Sequence, residues 1–505
     1  MIEHSSDMIF DFLIVGSGFG GSIIAMGLAE CGFKTLVIEK GQHPRFTVGE
    51  SSTPIADMVL RRLSDEYNLP FLKQISRYGE WQKHHPNVTC GLKRGFSYYR
   101  HFPGKPFKSN ECHDNELLVA ASENDFNSDT NWLRSDVDHF LVSCFDSQNV
   151  EYSENTTIKR VQRERKSAIW KVSAESEGTV FELRSRWIID ATGSPVFSEN
   201  YFGVTSSARE FETSSSALFT HLKGAETWLD YLKKNEFKTN DYPYNPDHSA
   251  LHHIIDEGWM WMLRFNNDLL STGILFDGNS DHGMKDPHSN WINVIEKYPS
   301  LHQLFLKSEL ADMPGEWIQT KRLQRKLSDF YGDGWVALNH TAGFVDPMHS
   351  TGIAHTLTGI EKLLDIFSKE KEPEKIETRL NILQDDTQKE LTLIDLLVSS
   401  SYKSRSDFNL FRASVMLYFI ASVKYEQSRL NRVIPDTFLC AGDQELFSVI
   451  KESHDEIKSF SKNSGDKRQA EKIVNRITKR ISPFNDIGLM DPQNNHMYEH
   501  TAVDL

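Results

Sequence analysis

Residues 10–39 read FDFLIVGSGFGGSIIAMGLAECGFKTLVIE, and this stretch decides the fold. The short apolar run Phe10–Val15 is typical of a buried strand, and a second such run covers Thr35–Ile38. Between them lie a glycine-rich turn and a segment, Ser22–Cys31, with the apolar spacing of a helix. Because a strand, a crossover helix and a second strand make a parallel pair, the chain is predicted to begin as an α/β protein.

The turn has the chemistry of a dinucleotide site. Residues 16–21, GSGFGG, match G-x-G-x-x-G: Gly16 permits the tight turn, Gly18 lets the backbone approach a pyrophosphate, and Gly21 allows close helix packing. The helix N-terminus then offers N–H groups and a positive dipole end to phosphates. Glu39 ends the second strand, where it can accept hydrogen bonds from ribose hydroxyls. The plainer alternative is a tight βα turn without a ligand.

Three later segments favour FAD over NAD. Arg134 precedes a helix, where its guanidinium can meet the polar chain of a flavin, unless it is an ordinary surface arginine. Residues 190–193, DATG, end a strand with small residues that let backbone pass close to a cofactor. Residues 343–347, GFVDP, precede STGI at 350–353, a second helix start that would stabilise negative charge on the isoalloxazine. The flavin contacts predicted in these segments are Arg134, Asp190, Gly193, Asp346, Gly352 and Ile353.

Composition narrows the class of protein. Hydrophobic residues make up 39% of the 505, enough for a sizeable core, and a net charge of −15 makes nucleic acid an unfavourable partner. The five cysteines form no CxxC pair, which argues against a disulfide framework and a metal site and fits a reducing cytoplasm. The N-terminus is acidic where a signal peptide is basic, and the apolar run 413–423 is shorter than the ~20 residues that span a bilayer. We expect a soluble, cytoplasmic protein without a membrane partner.

At roughly 100–200 residues per domain, the length allows two to four compact units. We predict a glutathione-reductase-type, Rossmann-like FAD-binding domain with an inserted mixed β-sheet substrate domain and a C-terminal helical region. Charged residues around Pro373, at 371–375, look like a linker, and the charged stretch 451–480 reads as one solvated helix. The predicted limits are 1–90, 131–200 and 331–370 for the FAD-binding parts, 91–130 for the start of the substrate region, 201–330 for the substrate domain and 371–505 for the helices.

Several blocks between about residues 10 and 365 resemble flavin-dependent halogenases of the tryptophan-halogenase kind. They are GES at 49–51 after Pro44-Arg45, LKRGF at 92–96, WMWM at 259–262, and GFVDP at 343–347 followed by STG at 350–352. The resemblance implies an enzyme that uses reduced FAD, O₂ and chloride or bromide to halogenate an electron-rich aromatic substrate. It also implies a separate flavin reductase as the supplier of reduced FAD. It adds four cofactor contacts: Lys40, Arg45, Glu50 and Ser51.

The resemblance gives the remaining residues their roles. Lys93 matches the family's essential lysine, which receives hypohalous acid through an internal passage and delivers the halogen to the substrate. Burial favours the neutral amine that this role needs, whereas an exposed Lys93 would belong to a surface basic patch. Backbone N–H groups of Thr351 and Gly352 would bind the halide, or Ser350 and Thr351 would merely cap the helix. Trp259 and Trp261 point to the same side of a strand and would separate flavin from substrate, or would be core residues.

Three departures from the family pattern bear on the substrate. Leu263-Arg264 replace the I-P of the W-x-W-x-I-P signature, and Asn339-His340-Thr341 replace an acidic flavin contact. His349 stands where tryptophan halogenases place a glutamate, and it would serve as base or donor, although a lone histidine is more often a satisfied polar group. These changes argue against free tryptophan and leave phenols, pyrroles and carrier-tethered aromatics open.

Two other functional classes fit parts of the pattern. An FAD-dependent monooxygenase or a geranylgeranyl-reductase-like oxidoreductase would share the fold and the ATG and G-x-x-D-P blocks. Lys93 separates these enzymes from a halogenase, because only halogen transfer needs its amine. A non-enzymatic flavin-binding or scaffolding protein is a third alternative, suggested by Asn339-His340 and the long C-terminal helices.

Overall fold

The computed structural model describes residues 8–164, 166–278, 286–462, 466–499 and 501. Its strands are β1 (Ile9–Val15), β2 (Thr35–Ile38), β3 (Cys90–Lys93), β4 (Gly95–Arg100), β5 (Glu116–Ala120), β6 (Asp129–Trp132), β7 (Glu151–Ser153), β8 (Thr156–Glu164), β9 (Ile169–Ser176), β10 (Thr179–Asp190), β11 (Ser206–Ser207), β12 (Ser215–Lys223), β13 (Ala250–Ile255), β14 (Gly258–Arg264), β15 (Leu270–Asp277), β16 (Glu309–Leu310), β17 (Ile318–Gln319), β18 (Arg325–Leu327), β19 (Tyr331–Gly332), β20 (Trp335–Ala337), β21 (Gly343–Phe344) and β22 (Met497–Tyr498). Its α-helices are α1 (Phe19–Glu30), α2 (Pro54–Glu66), α3 (Pro70–Gln74), α4 (Tyr78–His84), α5 (Arg134–Ser143), α6 (Val196–Phe202), α7 (Trp228–Lys234), α8 (Pro287–Ile295), α9 (Pro299–Phe305), α10 (Asn339–Ala342), α11 (Thr351–Lys369), α12 (Pro373–Ser404), α13 (Phe408–Leu430), α14 (Gln444–Lys462) and α15 (Lys467–Ile481).

The first sheet is the predicted nucleotide-binding sheet. Its main path runs β19-β20-β10-β1-β2-β7, and β1 pairs in parallel with both β10 and β2. The residues of β1 are largely buried and those of β2 are completely so, as expected for parallel strands covered on both faces. The predicted βαβ unit is therefore confirmed, and the carboxyl ends of β1, β2 and β10 meet at one edge. Ligands bind at that edge in open α/β sheets.

The second sheet is mixed, as predicted. Its path is β16-β12-β15-β14-β13-β4-β5-β22, in which β4 pairs with β13 and β5 with β22 in parallel. The strands come from both predicted parts of the substrate region, 91–130 and 201–330, and from the end of the described chain. The sequence indicated only the strands near 259–276, because the pairing of β4 with β13 joins residues about 150 positions apart.

The chain is mostly helical from α11 onward, and two local expectations about it were wrong. Residues 371–375 are mostly the first turn of α12, because Pro373 at the start of a helix has the φ that a first turn needs. The charged stretch 451–480 forms two helices, α14 and α15, each with one buried apolar face. Residues 179–190 form one continuous strand, β10.

The helices cover the sheets and meet one another. Helix α1 packs against α11, which packs against α2, and α13 packs against α2, α12, α14 and α15. One continuous core includes the first sheet, α1, α11 and the buried faces of α12 and α13. Among the described helices none is long and apolar enough to cross a membrane.

Candidate functional site

The glycine turn has the geometry that its sequence predicts. Gly16 has a φ of +104°, and a Cβ there would lie 2.8 Å from the carbonyl oxygen of Ala191. A Cβ on Gly21 would lie 1.9 Å from the carbonyl oxygen of Gly16, so α1 can pack at this distance only with glycine. A Cβ on Gly18 would meet nothing closer than the tip of Arg134, at 3.4 Å. Gly16 and Gly21 are therefore required by packing, and Gly18 faces the space beside two arginines.

Because of these contacts, alanine at Gly18 and alanine at Gly21 are expected to have different effects. Gly18 has φ −65° and ψ 172°, which alanine adopts freely, so Gly18→Ala is expected to change the free energy of unfolding by less than about 1 kcal/mol. Its methyl group enters the cofactor space, and FAD affinity is expected to fall about tenfold or more. Gly21→Ala is expected to cost about 3 kcal/mol or more of stability, because the clash is with backbone. Urea unfolding and fluorescence titration with FAD measure the two quantities, and equal stabilities of the two variants would contradict this assignment.

Glu39 is held at the end of β2 by its neighbours. Its carboxylate accepts hydrogen bonds from the Ser17 N–H at 3.1 Å and the Gly41 N–H at 2.9 Å, and it pairs with Arg45 at 3.2 Å. Burial alone would raise its pKa, but Arg45 and the two N–H groups outweigh burial and lower it. Glu39 is thus an ionised acceptor beside the glycine turn. Lys40 is exposed.

Arg134 lies against the N-terminus of α1. It forms a two-pronged ion pair with Asp138, at 2.9 and 2.8 Å, and donates to the carbonyl oxygens of Val48 and Gly49. The Phe19 N–H donates to Asp138 at 3.1 Å, and the guanidinium lies 4.8 Å from the Phe19 ring centre. Arg134 is buried, so the reading of it as a surface arginine is wrong. The positive charge of Arg134 neutralises the Asp138 carboxylate, which would otherwise repel phosphate groups at the N-terminus of α1.

The predicted small-residue turn after β10 is fixed by an internal network. The Asp190 carboxylate accepts from the Thr192 N–H and hydroxyl and from the Ser198 hydroxyl. Asp190 therefore shapes the turn. The Gly193 N–H donates to the Thr341 hydroxyl at 3.0 Å, and Arg325 donates to the carbonyl oxygens of Gly193 and His340. Thr341, in the segment that departs from the family pattern, thus hydrogen-bonds directly to the turn, and His340 is joined to it through Arg325.

The start of α11 meets the GES segment. Ser350 precedes the helix with a φ of +52°, and its hydroxyl donates to the Ser51 hydroxyl at 3.0 Å. Thr351 and Ile353 are buried, whereas a Cβ on Gly352 would meet no atom within 4 Å. Open space therefore lies beside Gly352. Glu50 is buried next to His221, with 3.0 Å between its Oε1 and the ring Nε2.

Asp346 and Trp259 belong to one buried chain of polar groups. Asp346 accepts from the hydroxyls of Ser215, at 2.6 Å, and Tyr402, at 3.0 Å, and burial raises its pKa to about 6. The Trp259 indole N–H in turn donates to the Tyr402 hydroxyl at 2.9 Å. Tyr402 comes from α12, so this helix takes part in the arrangement of the segment that precedes α11.

Trp259 and Trp261 share one face of β14, with ring centres 6.2 Å apart. The Trp259 ring lies 5.0 Å from that of His252, whose ring nitrogens contact the carbonyl oxygens of Ser97 and Met348. Trp259 is buried, and Trp261 is partly exposed and donates to the Ser271 hydroxyl. Through the His252 ring, Trp259 is linked to the Met348 carbonyl oxygen, close in sequence to the start of α11. Arg264, which replaces the family's proline, pairs with Asp247 and holds the end of this strand.

Lys93 is completely buried at the end of β3. Its ammonium nitrogen donates to the carbonyl oxygen of Ser52 and lies 4.0 Å from the centre of the Phe96 ring. Because Ser51 contacts Ser350, two consecutive residues link the lysine to the start of α11. Burial lowers the pKa of Lys93, and the nearby Asp129 carboxylate partly opposes this shift. Burial in the same environment raises the pKa of Asp129. The reading of Lys93 as part of a surface patch is therefore wrong.

His349 is buried and stacked on Tyr418, with ring centres 4.7 Å apart and planes 7° apart. Burial and the neighbouring His252 lower its pKa to about 3. Neither ring nitrogen has a well-formed hydrogen bond within the described part of the chain. A neutral ring with this pKa is a weak base, so His349 is suited to hydrogen bonding and not to proton removal at pH 7.

Sequence reasoning missed two groups of residues. Asp129 lies on β6, which pairs with β3 in a register that places it opposite Lys93. Tyr418, Ser422 and Glu426 lie on α13 at intervals of four, and all three are buried. Polar residues at helical spacing within an otherwise apolar helix are the signal that could have found the second group, whereas only the strand pairing shows the first.

These residues fit FAD. The arginine tips beside Gly18 could hold a pyrophosphate, the open space beside Gly352 could admit an isoalloxazine, and the Glu39 carboxylate could accept hydrogen bonds from a ribose. Arg45 also keeps a buried Nε without a partner among the described residues, which is a donor for a ligand. A phosphate-binding turn joined to a second helix start is the arrangement of an FAD-binding oxidoreductase.

Comparison with known proteins agrees with this class and narrows it. A family model described as FAD binding domain matches residues 11–220. A second model, described as tryptophan halogenase, matches residues 131–416, which is more than half of the chain. The chain therefore belongs to the tryptophan halogenase family and is an FAD-dependent enzyme.

Individual relatives are distant but extensive. Monodechloroaminopyrrolnitrin halogenase PrnC of Pseudomonas fluorescens is 26% identical over 489 residues, covering 91% of this chain and 82% of PrnC. Tetracycline 7-halogenase of Kitasatospora aureofaciens is 26% identical over 83% of this chain and 74% of its own length. Among solved structures, halogenase PltM superposes with a TM-score of 0.85 at 22% identity, over 97% of this chain and 99% of PltM. The fold similarity thus extends beyond residues 10–365 into the C-terminal helices.

Proposed function

We propose that this protein halogenates an electron-rich aromatic substrate and that Lys93 transfers the halogen. The observation that carries the proposal is the complete burial of Lys93 beside Ser52, one residue from the contact between Ser51 and the start of α11. Reduced FAD, supplied by a separate flavin reductase, together with O₂ and chloride or bromide would supply hypohalous acid. Relatives named as halogenases support this chemistry, and one of them, armH3 of Armillaria mellea, is named as flavin-dependent.

Lys93 would pass the halogen to the substrate in one of two ways. The neutral amine either holds hypohalous acid by a hydrogen bond or forms a nitrogen–halogen bond, releasing water. In the second case the aromatic carbon takes the halogen as the nitrogen–halogen bond breaks, and the ring proton returns to the amine. The nitrogen–halogen bond can form only from the unprotonated nitrogen. Burial of Lys93 favours that form because it disfavours the ammonium charge.

The other site residues support this transfer. Backbone N–H groups of Thr351 and Gly352, at the start of α11, are the proposed halide donors. Trp259 and Trp261 would keep the substrate away from the flavin, so that oxygen is not transferred to it directly. His349 is buried against Tyr418 and would hydrogen-bond to substrate or oxidant as it passes.

The proposed substrate is a small aromatic molecule, either free or tethered to a carrier protein. Two relatives are named for carrier-bound pyrrole, one as a brominase from Pseudoalteromonas luteoviolacea and one as a chlorinase from Pseudomonas fluorescens. Halogenase PltM has been crystallised with phloroglucinol and FAD. The lack of a glutamate at His349 argues against free tryptophan.

The test is a reconstituted reaction. Purified protein, a flavin reductase, NADH, FAD and bromide are incubated with a panel of phenols, pyrroles and indoles, and products are measured by mass spectrometry. We expect a brominated product from at least one member, and none when FAD or bromide is omitted. Steady NADH oxidation with unhalogenated products throughout would refute the proposal, and hydroxylated products would favour a monooxygenase.

A further inference from the structure

Helix α13 presents three polar residues to the space next to Lys93. Tyr418, Ser422 and Glu426 follow one another at intervals of four, so they lie on one face of the helix. The Ser422 hydroxyl donates to the Glu426 carboxyl group at 2.8 Å. Glu426 is only 3% exposed, and a buried acid without a basic partner is uncommon unless it has a function.

This face of α13 borders a small cavity. Its walls are Pro54, Phe96, Ala121, Tyr418, Phe419, Ser422, Val423, Glu426 and Thr501. Phe96 is the residue whose ring lies 4.0 Å from the Lys93 nitrogen, so the cavity and the lysine share a wall. Aromatic walls with one acid at the edge suit a flat ring that carries one polar group.

The cavity has about 10 Å³ of free space, so a ring fits only when a wall moves. Thr501 forms one of these walls and is bound to the end of β5. Its N–H and its hydroxyl both donate to a single carbonyl oxygen, that of Ala120. Two hydrogen bonds, each worth about 1 kcal/mol net, hold it over the cavity, so substrate binding can displace it.

The protonation state of Glu426 determines which groups of a ligand it can form hydrogen bonds with. Burial raises its pKa to about 8, the Ser422 hydroxyl partly opposes this, and the Asp129 charge adds to it. At pH 7 the group is thus mainly a neutral carboxylic acid, which donates one hydrogen bond and accepts another. A ring hydroxyl also donates and accepts, whereas a pyrrole N–H can only donate. The cavity therefore matches a hydroxyl better than an N–H group.

We propose that Glu426 is a substrate-binding residue, which anchors the hydroxyl of a hydroxyarene so that its ring lies against Phe96, beside Lys93. This inference rests on the proposed function, because it concerns the substrate of the same site. According to this proposal, Glu426 on α13 makes the site bind phenols in preference to pyrroles. It involves no bond-making step of its own.

Equilibrium binding without flavin tests this assignment. Phenol and toluene have the same shape and differ in the hydroxyl, so their dissociation constants isolate its contribution. We expect the wild-type protein to bind phenol about tenfold or more tightly than toluene, and Glu426→Leu to lose this preference. Glu426→Gln should retain most of it, because an amide also donates and accepts. Gln427→Leu, a neighbouring polar-to-apolar change on α13, should behave as wild type.

Each result decides the assignment. A wild-type protein without preference for phenol, or a Glu426→Leu variant that keeps the preference, overturns it. If Glu426→Leu fails to fold, the wild-type preference and its retention in Glu426→Gln still decide. Failure of the halogenase proposal gives a different pattern: phenol binding depends on Glu426, but the reconstituted reaction yields no halogenated product.

Discussion

The variant Lys93→Met is expected to lose aromatic halogenation by about a thousandfold or more while it continues to bind FAD and to oxidise reduced flavin. Methionine fills nearly the same volume as lysine but has no amine to hold or carry a halogen. Loss of a group that carries the transferred atom removes a step of the reaction and not only binding energy, which is why the expected effect is large. Product formation by mass spectrometry and flavin oxidation by absorbance measure the two activities.

Two controls make the Lys93 result interpretable. The methionine variant leaves Asp129 buried without its cationic neighbour, so the double variant Lys93→Met/Asp129→Asn removes that charge and should be at least as stable as the single one. Lys93→Arg keeps a cation that stays protonated, and it should be as inactive as the methionine variant. Halogenation at the wild-type rate by either single variant would contradict the role of the amine.

The variant Asp129→Asn is expected to move the pH dependence of halogenation to lower pH. Formation of the nitrogen–halogen bond needs the unprotonated amine, so the rate rises as pH passes upward through the pKa of Lys93. Asp129 opposes the lowering of that pKa, because a nearby negative charge favours the ammonium form. Removal of this charge lowers the pKa further, and the rising limb should move by about one pH unit or more. The kcat/KM for a phenol between pH 6 and 9 measures the shift.

A matched acid on the surface provides the control for Asp129. Asp125 lies four residues earlier, its side chain is 62% exposed, and it pairs with Arg94. Asp125→Asn is therefore expected to leave the rising limb unchanged. A limb that stays in place in Asp129→Asn, or that moves to higher pH, would show that Lys93 does not titrate in the halogen-transfer step.

The parts of the site that are local in sequence could be predicted. The glycine turn, Glu39 and the alternation of Trp259 and Trp261 follow from spacing within one or two elements, and the structure has each of them in the expected place. The burial of Lys93 was an expectation from family resemblance, since its basic neighbours allowed a surface position equally well. The pairing of β3 with β6, which no local pattern shows, is what encloses it.

The parts that depend on distant segments could not be predicted. Tyr402 on α12 connects Trp259 with Asp346, and Glu426 on α13 borders a cavity with Phe96, the residue that contacts Lys93, although more than 300 residues separate Glu426 from Phe96. Helix packing brings these groups together, and it is decided by the complementarity of whole buried faces. The family resemblance covers residues from about 10 to 365, and the helices beyond it supply Tyr402 and Glu426.

Protection of the oxidant from bulk solvent is the most direct test of halogen transfer through Lys93. The wild-type reaction is run with reduced FAD, bromide and a phenol in the presence of increasing free methionine, which consumes hypobromous acid in solution. If the oxidant passes to Lys93 within the protein, bromophenol formation stays nearly constant while methionine is in large excess. If product falls in proportion to the added methionine, the oxidant reaches the substrate through solvent, and Lys93 does not carry the halogen.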